Sequence, residues 1–535
     1  MAKRTPKSDN SIVVVFGDQL HADSAAIASI APGDTVVMAE STEESTVVPS
    51  HIQRTVLFLS AMRHFAEELK QRGIDVDYVD LKAARGRSLR ELIVDSVVRL
   101  GAKSLRCVEP GDWRIRRMLE ELCAKHNISL EILPDTHFIT TSDRFAKWAS
   151  GRAALTMEFF YREQRRLTGY LMEGSGPKAK PVGGEWNLDH DNRKSFGSKG
   201  PAKKIKPPIA FAPDAITQRV IEDVRTLLPD LPGEIESFGW PVTRKQAQDA
   251  LQDFLKNRLP EFGPYEDAMW STEPIVYHST LSGALNLKLL DPRECCEGAI
   301  REYEAGRAPL ASVEGFVRQI IGWREFIRGI YMLEGPSYGD RNSIDQHGAL
   351  PALYWDAKTD MNCLKTCVSQ VLRSGYAHHI QRLMVMGNFA LISGVHPKAI
   401  SDWYLGMFID GVDWVTLPNT LGMVMHADAR TGSTSSGTVG TKPYAASGAY
   451  IDKMSDYCRG CRYEPGVKEG DRACPMTVFY WDFLIRNRER FAKNQRMAMI
   501  LKNVDRMGES TRTAITVSAT TLRAKFGIGD ISRKG

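Results

Sequence analysis

The 535-residue chain contains no run of about 18 apolar residues, the length a helix needs to cross a bilayer, so no membrane span is expected. Its opening stretch, Met1-Ala2-Lys3-Arg4-Thr5-Pro6-Lys7-Ser8-Asp9-Asn10, is basic and polar and lacks the apolar centre of an export signal. A cytoplasmic protein with reduced thiols is therefore expected, with residues 1–11 as a disordered tail. Cysteine is scarce at nine residues, which argues against a disulfide-framed scaffold. Net charge is small: 70 Lys and Arg less 65 Asp and Glu gives +5, too little to argue for nucleic acid by itself. No GxGxxG follows the first apolar run, which ends at Phe16-Gly17, so a standard dinucleotide turn is not supported there. No internal repeat is visible.

What remains is the balance of a soluble globular protein, 43% hydrophobic and 25% charged, long enough for two or three domains. Five short apolar runs, at residues 12–16, 35–39, 75–79, 104–108 and 128–133, alternate with helical patterns. Val56, Leu57, Leu59, Met62, Phe65, Ala66 and Leu69 form one helical stripe that stops before Gly73. Residues 89–100 and 113–126 behave likewise. This alternation predicts an α/β domain over residues 12–140, built on a doubly wound parallel sheet with its ligands at the carboxyl ends of the strands. Gly, Pro and Lys then dominate, as in Gly174-Ser175-Gly176-Pro177-Lys178 and Lys203-Lys204-Ile205-Lys206-Pro207-Pro208, and residues 141–230 are expected to connect two domains. Beyond them the strand signal vanishes. Val313, Phe316, Ile320, Ile321, Phe326, Ile327, Ile330 and Tyr331, and later residues 380–393, predict long helices in an all-helical domain over residues 231–510, with 511–535 as a C-terminal tail. A low-complexity loop covers residues 431–438.

Four constellations are candidates for chemistry. Cys458, Cys461 and Cys474 stand in a C-x2-C-x12-C pattern, which suits an iron–sulfur cluster or a zinc ion; three unrelated loop thiols is the plain alternative. A fourth ligand must come from upstream, where Cys295, Cys296, Cys363 and Cys367 all qualify, and spacing leaves open both that choice and the choice of metal. His378 and His379 open an apolar helix, where a pair can cap the helix, sit in the core or move a proton. Trp355, Trp403 and Tyr404 lie in helical surroundings, where aromatic residues usually fill the core and gain a second role beside a redox cofactor. Basic-aromatic stretches such as Phe159-Phe160-Tyr161-Arg162-Glu163-Gln164-Arg165-Arg166 suit phosphates but are commoner as solvated faces.

Taken together, the segments resemble the cryptochrome–photolyase family, in its bacterial iron–sulfur (6-4) photolyase branch. The resemblance rests on Phe16-Gly17-Asp18-Gln19-Leu20, Ser60-Ala61-Met62-Arg63-His64-Phe65-Ala66-Glu67-Glu68-Leu69, Gly183-Gly184-Glu185-Trp186-Asn187, Glu314-Gly315-Phe316-Val317-Arg318-Gln319-Ile320-Ile321-Gly322-Trp323-Arg324-Glu325, the stretch from Ala377 to Met384, and Gly440-Thr441-Lys442-Pro443-Tyr444-Ala445-Ala446-Ser447-Gly448 running on to Cys461. It covers about residues 12–495.

The resemblance implies an N-terminal α/β antenna domain and a C-terminal helical FAD domain. It implies a [4Fe–4S] cluster on Cys363, Cys458, Cys461 and Cys474. It places FAD contacts on His278, Ser279, Leu281, Ser282, Gln319, Trp323, Arg324, Asn388 and Asp410, with Asn388 by flavin N5. It places an electron path on Trp355, Trp403 and Tyr404, and lesion contacts on His378, His379, Tyr444 and Tyr450. His379 is the expected proton donor, since a modest shift from the ordinary imidazole value of about 6.5 keeps it protonated at working pH. The implied partner is UV-damaged DNA with its lesion flipped out, met by a monomer that is nucleoid-associated when bound. Glu44 matches the antenna contact for 6,7-dimethyl-8-ribityllumazine, although Ala39 replaces a family cysteine. Thr416 stands where the family usually carries glutamate, Val412 where close relatives carry tyrosine, and the 431–438 loop is longer than the family's. A blue-light sensor with the same cofactors and little repair is the second reading, and a zinc-stabilised DNA-binding protein without flavin the third.

Overall fold

Five parallel strands, β1 (Ser11–Val14), β2 (Thr35–Ala39), β3 (Val76–Val79), β4 (Ser104–Val108) and β5 (Ser129–Leu133), pair in the order β3-β2-β1-β4-β5. Period-two alternation explains the two packed faces. Ile12, Val14 and Phe16 face a core with Leu89, Ile93, Leu119 and Leu122, while Val13 and Val15 face one that continues into the helical half through Leu57, Leu285 and Ile409. In this computed structural model the described residues are 10–152, 154–174, 176–429 and 437–530. Most of the expected N-terminal tail and of the 431–438 loop therefore lies outside them.

The crossover helices start and stop on local chemistry. The Leu89–Leu100 helix has a capping box between Ser88 and Glu91, and it ends at Gly101 in the left-handed region, with φ of 62°. The Trp113–His126 helix is capped by Asp112 and closed by Asn127, also left-handed.

Two stretches differ from the sequence reading. Residues 141–230, expected as a connector, carry the helices Ser142–Ala149, Met157–Thr168 and Ala215–Leu227. Phe145, Trp148 and Phe160 pack around Phe326 of the helical half, with ring centroids 5.9–6.2 Å apart, so this stretch supplies core as well as connection. Residues 511–526, expected as tail, belong to the helix Glu509–Phe526. Its many threonines hide a thin apolar stripe: Ile515 and Ala519 are buried, Phe526 packs on Phe389 and Phe479, and Arg523 pairs with buried Asp482.

Among the described residues, the helical half contains three π-helical segments, Arg318–Arg324, Gln381–Gly387 and Asn419–Val424. The last follows Pro418, whose missing N–H breaks the α-helical ladder. π segments make side chains emerge where an α-helix would hide them, and they gather at functional sites.

Candidate functional site

A cavity of about 200 Å³ lies at the carboxyl ends of β1 and β2 and beside the loop after β4, as doubly wound topology dictates. Asp18, Glu40, Ser41, Glu44 and Asp112 line it, and Gly406, Val412 and Asp413 close it from the helical half. Glu44 accepts two hydrogen bonds from Arg114, at 2.8 and 2.7 Å. Deep burial raises the Asp18 carboxyl and pulls Arg54 down to about 10. Gly111 is required here: a Cβ on it would stand 2.7 Å from the Trp414 ring and 2.8 Å from an Asp18 oxygen. Such a lining fits a flat polar chromophore. Ala39 and Val412, both departures from the family pattern, lie on its wall.

The second site is the turn that carries His378 and His379. His378 is buried and stacks on His278, with ring centroids 4.2 Å apart and planes 14° apart. Among the described residues, neither ring nitrogen of His378 has a hydrogen-bond partner. Buried polar atoms are almost always paired, so these two nitrogens fit a bound ligand. His379 is exposed. Enclosure, Arg382 and His278 push its imidazole down to about 4, a shift that contact of the exposed ring with water lessens. This shift runs toward the neutral imidazole, opposite to the one expected from sequence. Tyr444 is exposed and Tyr450 half-buried.

Around the histidines, Arg382 makes a two-pronged pair with Asp410, at 2.9 and 3.1 Å, and lies 3.8 Å from the centroid of Phe408. The Asp410 carbonyl accepts from Asn286, which ties it to the Ser282–Asn286 turn. Just before that turn, Thr280 sits between Ser279 and Leu281 at φ of 59°, a strained value for a β-branched residue. All of residues 312–331 are described, and only Gln319, Trp323 and Arg324 among them escape full burial. All three lie within the π segment Arg318–Arg324. Arg324 is engaged with His137, Glu325 and Phe138, on the side of the sheet domain. Asn388 does not present a free amide: it donates to the Ala446 carbonyl at 2.8 Å and accepts from the Ala446 N–H at 3.0 Å, so it anchors the 440s loop. Thr416 is buried, and its carbonyl accepts from Thr420.

Aromatic rings lead from this site toward the surface. Tyr404 lies 5.6 Å from Trp403, Trp403 lies 5.1 Å from Tyr354, and Trp355, next in the chain, is 39% exposed. The Trp403 indole donates to the Tyr354 carbonyl. Sequence reasoning missed Tyr354, whose signal was only its place beside Trp355.

Cys363, Cys458, Cys461 and Cys474 line one small cavity with Met361, Tyr457 and Tyr463, and Cys295, Cys296 and Cys367 do not line it. Among the described residues no group is spaced for a single metal ion. Gly448 packs against this cavity, where an added Cβ would stand 2.9 Å from the Cys474 sulfur.

A family profile described as deoxyribodipyrimidine photo-lyase-related protein matches residues 13–240. A protein of Agrobacterium fabrum named (6-4) photolyase is 43% identical over 519 residues, covering 97% of this chain and all of its own. The chain belongs to the (6-4) photolyase family. Two solved structures share the fold. A bacterial class III photolyase from Agrobacterium tumefaciens has a TM-score of 0.56 at 14% identity, over 98% of this chain and 99% of its own. A Synechocystis cryptochrome has a TM-score of 0.51 at 15% identity, over 80% and 84%. In this photolyase-family chain, the residues that sequence reasoning missed are Asp18 and Arg114 at the strand ends and Gln381 and Arg382 beside the histidines.

Proposed function

We propose that this protein reverses (6-4) pyrimidine–pyrimidone photoproducts in UV-damaged DNA with light, as a cytoplasmic monomer holding FAD, a [4Fe–4S] cluster and a ribityllumazine antenna. The observation that carries the reading is the His378–His379 turn: one imidazole buried with both nitrogens unpaired, the next exposed, in a chain of this family. Reduced FAD, when bound, supplies the light-driven electron. The protein's own residues do the rest. Ser279, Leu281 and Ser282 hold the cofactor's phosphates, Asp410 and Arg382 fix the neighbouring wall, and Gln319 and Trp323 close the opening that the π segment creates. Tyr444 and Tyr450 receive a lesion that has left the stack, a step that costs least for a damaged base.

His379 then moves the proton. The lesion's rearrangement needs an acid at the transferred hydroxyl or amine, and the phosphates of the bound strand favour the charged imidazole that enclosure, Arg382 and His278 disfavour. Trp403, Tyr404 and Trp355, with Tyr354 between them, form the relay that recharges the flavin. Cys363, Cys458, Cys461 and Cys474 hold the cluster, and Glu44 with Arg114 borders the antenna. The deciding experiment is blue-light illumination of the reduced protein with DNA carrying one defined lesion. Loss of a (6-4) product, with a cyclobutane dimer left intact, supports the assignment. Repair of neither lesion under strong light would transfer the protein to the sensor reading.

A further inference from the structure

Beside the histidine turn lies a closed hydrogen-bond network that the reaction itself does not use. Gln381, the first residue of its π segment, is 1% exposed. Its carbonyl oxygen accepts from the His378 backbone N–H at 3.0 Å and from Gln370 at 3.2 Å. Its amide nitrogen donates to the Gln370 oxygen at 2.9 Å and to the Tyr457 hydroxyl at 3.0 Å. All four hydrogen-bonding positions of the side chain are thereby filled. The His378 N–H fixes which end of the amide faces it, so the orientation is not arbitrary.

The partners of Gln381 come from segments far apart in the chain. Gln370 lies on the Asn362–Ser374 helix, whose first turn carries Cys363, and it also donates to the carbonyls of Pro274 and Tyr376. Tyr457 precedes Cys458 and is buried. On the other side of the turn, the Arg382 guanidinium donates to the Ala377 carbonyl at 2.6 Å, and the Arg382 N–H to the His378 carbonyl at 3.1 Å. The backbone of Ala377 and His378 is thus held from two directions: by Arg382 toward Asp410, and by Gln381 toward the cysteine-bearing segments.

The geometry points to Gln381 as a positioning residue that, through Tyr457 and Gln370, locks the His378–His379 turn to the segments bearing Cys363 and Cys458. This rests on the repair reading above. Gln381 touches no reacting atom. It sets where His379, two residues earlier in the chain, aims its ring, and small displacements of a proton donor are costly. Methionine at this position would keep length and bulk, leave the His378 N–H without its side-chain acceptor and take from the Tyr457 hydroxyl the N–H it accepts.

The test uses the full-length protein with its cofactors. In Gln381→Met, repair of saturating (6-4) DNA by pre-reduced enzyme should fall about tenfold, a fraction of the roughly hundredfold cost of misplacing a reacting group. Lesion affinity should stay within about twofold, so the loss falls on turnover and not on binding. Iron content and light-driven flavin reduction should match wild type. Hydrogen exchange at residues 376–380, measured without light or DNA, should accelerate while exchange in the β-sheet does not change. Wild-type turnover with unaltered exchange at 376–380 would overturn the proposal. If Gln381→Met does not retain flavin, Tyr457→Phe decides: it removes one hydroxyl, and unaltered exchange at 376–380 again overturns the proposal. A wild-type protein that repairs no (6-4) product would instead defeat the functional reading, and the exchange measurement would still judge the lock.

Discussion

The strand-end cavity and the histidine cleft treat their polar groups in opposite ways. At the strand ends two carboxylates are matched inside the protein: Glu44 with Arg114, and Glu40 with Arg63 at 2.7 Å. At the histidine turn, His378 keeps two buried nitrogens without partners. A site whose charges are already paired can hold a chromophore without reacting with it. A site with unmet hydrogen bonds has its polar groups waiting for a guest, and there chemistry is expected.

The largest effect should follow from breaking the unmet side. His379→Ala should keep flavin, iron and lesion binding and lose about 10²–10⁴-fold in (6-4) repair, the usual weight of a general acid. His379→Asn should fare no better, because an amide does not deliver a proton. Repair by His379→Ala at the wild-type rate would show that the cleft's unmet groups have another purpose.

Next in size is the cysteine cavity, the anchor beneath the cleft. Cys458→Ala and Cys363→Ala should each lower iron and flavin content and solubility, since closing loops this long without metal bonds is unfavourable. Cys367→Ala should keep its iron, because Cys367 lies outside that cavity. Stoichiometric zinc in anaerobically purified wild type would argue against the cluster.

Trp403→Phe tests the aromatic link between cleft and surface. Photoreduction of oxidised flavin should slow, while repair by pre-reduced enzyme should change much less. Losing the indole bond to the Tyr354 carbonyl should cost about 1 kcal/mol of stability. Equal photoreduction in mutant and wild type would return Trp403 to a packing role.

The smallest effect belongs to the matched side. Arg114→Ala should change stability by less than about 1 kcal/mol, since its pair with Glu44 is partly exposed. It should lower antenna content and leave repair by directly excited flavin intact. A repair loss comparable to that of His379→Ala would dissolve the contrast between the two sites.

The sequence disclosed these sites unequally, and for physical reasons. β2 and β4, and the helices Leu89–Leu100 and Trp113–His126, follow from period and capping, which are local, so their bounds came out as read. The cysteine loop was visible as spacing, which left four candidates for the upstream ligand; the resemblance implied Cys363, and Cys363 shares a cavity with the other three. The cleft was half legible. Its histidines and aromatic residues declared themselves by type, but nothing in a helical stripe announces that residues 318–324 will wind as π. The resemblance implies Asn388 as a cofactor contact, while its link to Ala446, 58 residues away, leaves no local trace in the sequence. The helix Glu509–Phe526 was missed because only a thin stripe of it is apolar.

A π turn spans one residue more than the α turn it replaces. Removing a single codon within residues 318–324 would therefore let that stretch wind as ordinary α-helix and leave the helices on either side in register. Such a shortened chain should still fold and still bury Phe316 and Phe326, yet it would draw Gln319 and Trp323 inward. The difference between a sealed helical core and one with an opening for a guest would then be three nucleotides of gene, with no side chain exchanged for another.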